Sequence, residues 1–229
     1  MKKSSTLRVI FYVVGLLVLA LGIILNTKSG LGVSPIISVS YSISTIWNFN
    51  FGNMTFVLYT VFVIVEMILH TIWNRREAAK ESAALKPAAR KSLPLILGMY
   101  LLQLPLSLIF TRFMNLFSAW IPAPSHGFGS QLLVLAGGII CTGIGAAMSL
   151  NMRIIPNPGD GIVQAIADFI HKSVGFTKNC FDLFNICITI SVGMIFAHKL
   201  VGVGIGTVVA VLGVGRVIAL FNHFFMKKM

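Results

Sequence analysis

The sequence predicts an all-α integral membrane protein. Six transmembrane helices and two short broken or re-entrant helices are expected, arranged as an inverted-topology repeat. Three observations carry that prediction. Of 229 residues, 56% are hydrophobic and 10% charged, whereas a soluble domain carries about a quarter charged residues. Six apolar stretches approach or exceed the roughly 20 residues that cross a bilayer core. The apolar pattern is also interrupted twice in a similar way, by "LNTKSGLGVSPIISVS" at 25–40 and "LNMRIIPNPGDGIVQA" at 150–165.

The expected spans are 8–26, 53–73, 93–117, 130–151, 179–198 and 201–224. The first follows the basic head "MKKSSTLR" and is followed by no small-residue cleavage pattern, so it reads as a retained span and not a signal peptide. Between the first and second spans lies 34–48, and between the fourth and fifth lies 160–173. Both are shorter and more polar. Ser38, Ser40, Ser42 and Ser44 alternate with apolar residues, a strand pattern in a soluble protein. In lipid a lone strand leaves its backbone unsatisfied, so a short helix is expected instead. Ser34 before Pro35 reads as an N-cap and first helical position, and Asp160 after "PNPG" as a second N-cap.

The formal charge of +12 resides mostly at the ends of apolar segments, where lysine and arginine meet lipid headgroups and set orientation. No basic patch interleaved with aromatics accompanies it, so nucleic acid is not an expected partner. The loop 74–92 holds Arg75, Arg76, Lys80, Lys86, Arg90 and Lys91 and is expected in the cytoplasm. The basic N- and C-termini are expected there too, while "IPAPSHGFG" lacks Lys and Arg and suits the other side. Six crossings satisfy all of these in the cell membrane. Eight crossings, with both short segments spanning, would put the basic loop and the basic N-terminus on opposite sides.

The two breaks divide the chain into repeats at 1–128 and 129–229. Leu25-Asn26 pairs with Leu150-Asn151, Lys28 with Arg153 and, after one insertion, Ser34 with Asp160. Paired Gly/Pro-interrupted segments at corresponding positions point to a transporter's central site, since a broken helix exposes backbone amides and a partly positive N-terminus. The plainer alternative is two ordinary headgroup-level loops.

In the second half, "NPGDGIVQAIADFI", "GFTKNCFDLFNICI" and "VGVGIGTVVAVLGVGRVIALF" resemble the C-terminal pattern of YitT/YczE-type bacterial multi-pass membrane proteins. Pro158, Asp160, Gly161, Gly204, Gly206, Thr207, Gly213 and Gly215 carry the resemblance, with Asn26, Gly30, Gly32 and Pro35 in the first half. It implies a cell-membrane protein and supplies no reaction, substrate or catalytic residue.

Candidate solute-binding residues are those at the breaks: Asn26, Lys28, Ser34, Asn151, Arg153, Asn157 and Asp160. Two cations and two helix N-termini suit an anionic or zwitterionic small molecule. Ionisable residues within spans are costly and functional by default, so Glu66, Asp182 and Arg216 are the candidates for ion or proton coupling. The bland readings are a structural pair or a side chain that reaches water. No metal spacing, cofactor fingerprint or Ser/His/Asp set is present, and Cys141, Cys180 and Cys187 show no paired spacing. The expected function is secondary transport of a small solute, without cofactor or catalysis. The alternative is a membrane scaffold that binds a partner protein through 75–91. The bilayer and a small solute are the expected partners, and a homo-oligomer is compatible with either reading.

Overall fold

The structure is a computed structural model that describes residues 5–84, 93–124, 127–152 and 154–226. Its helices are α1 (Ser5–Lys28), α2 (Pro35–Ile46), α3 (Phe51–Ala84), α4 (Leu93–Leu101), α5 (Gln103–Trp120), α6 (Phe128–Met152), α7 (Pro158–Ile170), α8 (Val174–Val192) and α9 (Ile205–Phe221). A π-helical turn extends α8 over Gly193–Ala197, and another extends α9 over Asn222–Met226. Among the described residues, six helical segments are long and apolar enough to cross a membrane. The chain is a multi-pass membrane protein.

The central pair is α1 and α6, which run antiparallel. Arg8 donates to the Met152 carbonyl at 2.7 Å, while Asn26 reaches Thr142 at the other end. Lipid gives no hydrophobic drive for helices to associate, so close backbone approach does the holding. Gly15 and Gly22 on α1, and Gly138 and Gly145 on α6, provide it. A side chain at Gly22 would strike the Thr142 backbone, one at Gly145 the Leu19 backbone, and one at Gly138 the Asn26 side chain.

Several boundaries depart from expectation for local reasons. α3 runs on to Ala84 instead of ending at 73, because "NRREAAKESAA" consists mainly of strong helix formers. The expected span 93–117 is split at Leu102. Pro105 has no amide hydrogen and its ring opposes the Leu101 carbonyl. The helix α7 is capped by Asn157, whose side chain accepts from the Gly159 amide at 3.3 Å. Asp160 is therefore a first-turn residue and not the cap.

Both breaks double back. We call the side from which α1 starts the N-terminal face. After α1 the chain turns inward past α9: the Val33 amide donates to the Gly202 carbonyl at 3.0 Å and the Gly206 amide to the Leu31 carbonyl at 2.8 Å. Gly30, Gly32 and Gly202 adopt φ of 71°, 124° and 82° here, which L side chains rarely allow. Then α2 runs from Ile36, beside Gly159, back out to Trp47, whose ring meets Phe196. After α6 the chain climbs along α1, from Arg8 at Met152 to Tyr12, whose hydroxyl donates to the Ile155 carbonyl at 2.8 Å. From there α7 returns to the N-terminal face, where Arg76 lies over the Phe169 ring. At 12 and 13 residues, α2 and α7 are shorter than the roughly 20 that a span needs.

The short helices start together in the middle, at Ile36 and Gly159, and run to opposite faces. Each packs chiefly on a long helix of the other half, α2 on α8 and α7 on α3. A constant spacing recurs along the chain. Gly15 and Gly138, Gly22 and Gly145, Pro35 and Pro158, and the helix starts Phe51 and Val174, are each 123 positions apart. Ser34 thus corresponds to Asn157, and both precede a proline at the first helical position.

Leucine at Gly22 or Gly145 should force α1 and α6 apart and cost about 1–3 kcal/mol or more. The expected readout is a lower thermal midpoint of the detergent-solubilised protein. Gly137, adjacent in sequence but with open space around it, should accept alanine with no such loss. Equal midpoints for all of these variants would show that the seam is not closely packed.

Candidate functional site

A cavity of about 330 Å³ lies between α3, α7 and the start of α8, in the half of the bundle toward the N-terminal face. Glu66, His70 and Trp73 line it from α3, Tyr100 from α4, Asp160, Gly161, Gln164 and Asp168 from α7, and Lys178 from α8. Apolar side chains complete the wall, among them Leu69, Val163, Phe169 and Ile218.

Glu66 is fully buried at 0% exposure. Gln103 donates to its Oε2 at 2.8 Å, and its Oε1 has no partner. The carboxylate rests against Gly161, where a Cβ would come within 2.7 Å of Oε1. Glycine at this position is what lets α7 lie so close to a glutamate on α3. The Trp73 indole N–H is also buried without a partner, and the His70 ring packs between Trp73 and Tyr100. An unpaired buried carboxylate oxygen costs several kcal/mol unless something supplies a positive charge or a proton.

The other charges of the cavity are partly matched within it. Lys178 Nζ pairs with Asp182 Oδ2 at 3.0 Å, one turn along α8. Gln164 Nε2 donates to Asp168 Oδ1 at 2.8 Å. Asp160 lies in the first turn of α7, near the partial positive charge of the helix N-terminus. With Lys178 engaged by Asp182, the cavity wall is net acidic.

Of the residues singled out in the sequence, Glu66 and Asp160 line the cavity, Asp182 reaches its edge through Lys178, and Asn157 builds it by capping α7. The remainder are placed elsewhere. Asn26 is buried in the α1–α6 seam and donates to Thr142 Oγ1 at 3.3 Å. Lys28 ends α1 toward the opposite face, and Ser34 sits half-buried at the start of α2. Asn151 donates to Asn222 Oδ1 at 2.7 Å and to the Ala147 carbonyl, tying α6 to the end of α9. Arg216 is exposed on α9, and Arg153 lies outside the described residues. Asn26 and Lys28 therefore do not meet Asn151 around one cavity. The antiparallel α1–α6 pair separates them by most of a helix length.

The sequence reading passed over Gln103, Lys178, Asp168, Trp73, His70 and Tyr100. Gln103 was discoverable, being a polar side chain amid "YLLQLPL". Lys178 and His70 lie near span ends in sequence and resemble headgroup anchors. The packing of α7 against α3 and α8 places them at the cavity.

A model of one protein family matches residues 6–223, nearly the whole chain. The chain belongs to DUF6198, a family of unknown function. No curated protein and no solved structure matches it. Family membership brings no activity with it, so the chemistry of the cavity carries the functional argument.

Valine at Gly161 should displace the Glu66 carboxylate and break its bond to Gln103, lowering the thermal midpoint. In a Glu66→Ala background the same substitution should cost less, with a coupling of roughly 0.5–3 kcal/mol. Additive losses would mean that Gly161 and Glu66 are energetically independent.

Proposed function

We propose that this protein is a secondary transporter that carries a small solute through the bilayer by alternating access, and that Glu66 exchanges the solute for a proton. The observation that carries the reading is the Glu66 carboxylate. It is wholly buried, has one oxygen unpartnered, and borders a cavity that reaches the first turn of α7. A proton or a solute ammonium group can satisfy that oxygen, and the two compete for it. Competition for one buried acceptor links their movements in opposite directions.

Two halves of inverted topology, 1–128 and 129–229, supply the means. The constant spacing of 123 residues supports this reading, as do the crossed packing of α2 on α8 and α7 on α3 and the opposed directions of the short helices. Transporters built in this way hold solute at broken helices near the midplane and rock one half against the other. The start of α1, the end of α9 and the polar end of α3 lie on one face. With Arg8, Arg75 and Arg76 there, that face is the cytoplasmic one by the positive-inside rule, and the cavity faces the cytoplasm. The resemblance to YitT/YczE-type proteins agrees with a cell-membrane location.

The cavity narrows the solute. Its volume falls at the small end of the range for ligand sites. Glu66, Asp160 and Asp168 outnumber Lys178, so a solute carrying a positive group is favoured and a simple anion is not. Trp73 offers an N–H, and Tyr100 and His70 offer ring surface. A small zwitterion, with an ammonium toward Glu66 and an acceptor toward Trp73 and Lys178, matches this wall.

Purified protein should be stabilised thermally by one or more members of a panel of amino acids and small amines. At 100 times its Kd a ligand adds about 2.7 kcal/mol. In proteoliposomes that solute should enter against an opposing proton gradient, and Glu66→Gln should lose the pH-gradient dependence by tenfold or more. A panel with no stabilising member, or a Glu66→Gln variant with unaltered pH-gradient dependence, would overturn the reading.

A further inference from the structure

The open cavity at the α3–α7 side has a shut counterpart at the α2–α8 side. Stepping along the chain by 123 residues carries Glu66 to Thr189, Gly161 to Ser38, Ala165 to Ser42, Trp73 to Phe196 and Lys178 to Thr55. The first of these contacts persists in a different chemistry. Where the Glu66 carboxylate rests on Gly161, the hydroxyl oxygens of Thr189 and Ser38 lie 2.7 Å apart. Further toward the opposite face, the Trp47 and Phe196 rings meet at 5.0 Å, and a side chain at Gly202 would strike Tyr41. The two interfaces thus stand in corresponding positions, one parted by a cavity and the other closed.

The closed interface is more polar than closure requires. Ser38, Ser40, Ser42, Thr55 and Thr189 are all fully buried. Ser40 hydrogen-bonds back to the Ile37 carbonyl at 2.9 Å and lies 3.1 Å from the Thr55 hydroxyl of α3. The Ser42 hydroxyl is buried at 0% exposure and has no partner. It lies one turn beyond Ser38 on the same side of α2, toward α8. A buried hydroxyl without a partner costs about 1–3 kcal/mol, and alanine would pack there without that cost. A hydroxyl at Ser42 gains a partner when α2 and α8 separate and water or solute enters.

We infer that the seam between α2 and α8 is the second half of the solute path, lined by Ser38, Ser42 and Thr189 and shut in this structure by the Ser38–Thr189 contact. The inference rests on the alternating-access reading. It gives the alternating serines of α2 a role that their strand-like pattern concealed: a hydroxyl-lined wall, uncharged, that passes the solute without holding it. The carboxylate side binds and the hydroxyl side releases.

Single cysteines at Ser42, Ala165 and lipid-facing Leu183, placed in a chain with Cys141, Cys180 and Cys187 replaced by alanine, test this with a membrane-impermeant maleimide. The reagent is applied from either side of sealed vesicles. Ser42→Cys should label from the side on which α2 ends, Ala165→Cys from the side on which α7 ends, and Leu183→Cys from neither. Oxidising an added Ser38→Cys, Thr189→Cys pair should suppress the Ser42→Cys labelling at least tenfold and spare that at Ala165→Cys. Thr189→Cys alone serves as a second reporter if Ser42→Cys does not fold. Labelling at Ala165→Cys with none at Ser42→Cys or Thr189→Cys would overturn the second path and leave the transport reading standing. Labelling of both positions from one side would overturn the second path as well. No labelling at Ala165→Cys or Ser42→Cys would overturn both.

Discussion

The close approach of α1 and α6 is the constraint on which the rest of the architecture depends. Lipid competes evenly for apolar side chains, so these two helices are held by backbone contact and not by burial from water. Glycines seven residues apart on each helix put small faces together over two turns. Because the pair is antiparallel, the chain leaves α1 at one face and α6 at the other. Each break must then fold back along the seam from its own end. The meeting of α2 and α7 in the middle follows from that geometry.

The two breaks solve the same problem by different chemistry. Irregular backbone at membrane depth needs partners for its amides and carbonyls. The first break finds them in backbone, through Leu31 and Val33 against Gly202 and Gly206, and glycines on both strands permit the approach. The second finds them in side chains, through Arg8 and Tyr12 of α1. The glycine run "GVGIGT" is therefore a docking edge for the first break, a role neither a phosphate loop nor a generic packing face would have. Asymmetry at the breaks carries through to the chemistry beside them. The α7 side places a carboxylate and a lysine at the cavity, and the α2 side places hydroxyls at a closed seam.

Much of this architecture was legible in the residues. Apolar length marked the six long helices, and Gly/Pro interruption marked both short helices and the start of α2, while the start of α7 lies at Pro158 and not after Asp160. Charge inside a span singled out Glu66, and Asp160 stood out at the second break. The spacing of 123 between glycines and helix starts was not legible, because the identities "LN" at 25–26 and 150–151 suggested 125. Lys28 was chosen for its neighbourhood in sequence, yet helix direction carries it to a different level from Asn151. Gln103 and Lys178 were overlooked because their importance lies in what they face.

Composition and patterning alone determined that the chain belongs in a bilayer, that it has six stretches long and apolar enough to cross, and where its backbone breaks. Those properties depend on local free energies: apolar length against hydrocarbon thickness, proline and glycine against helix continuity. Which broken ends converge, and which buried groups share a cavity, are decided by helix direction and rotation. These are set by pairs of helices more than a hundred residues apart, such as α1 with α6 and α3 with α7. Glu66 was visible in the sequence as a costly residue. That its free oxygen borders a cavity at Gly161 was decided only by the packing of α7 against α3.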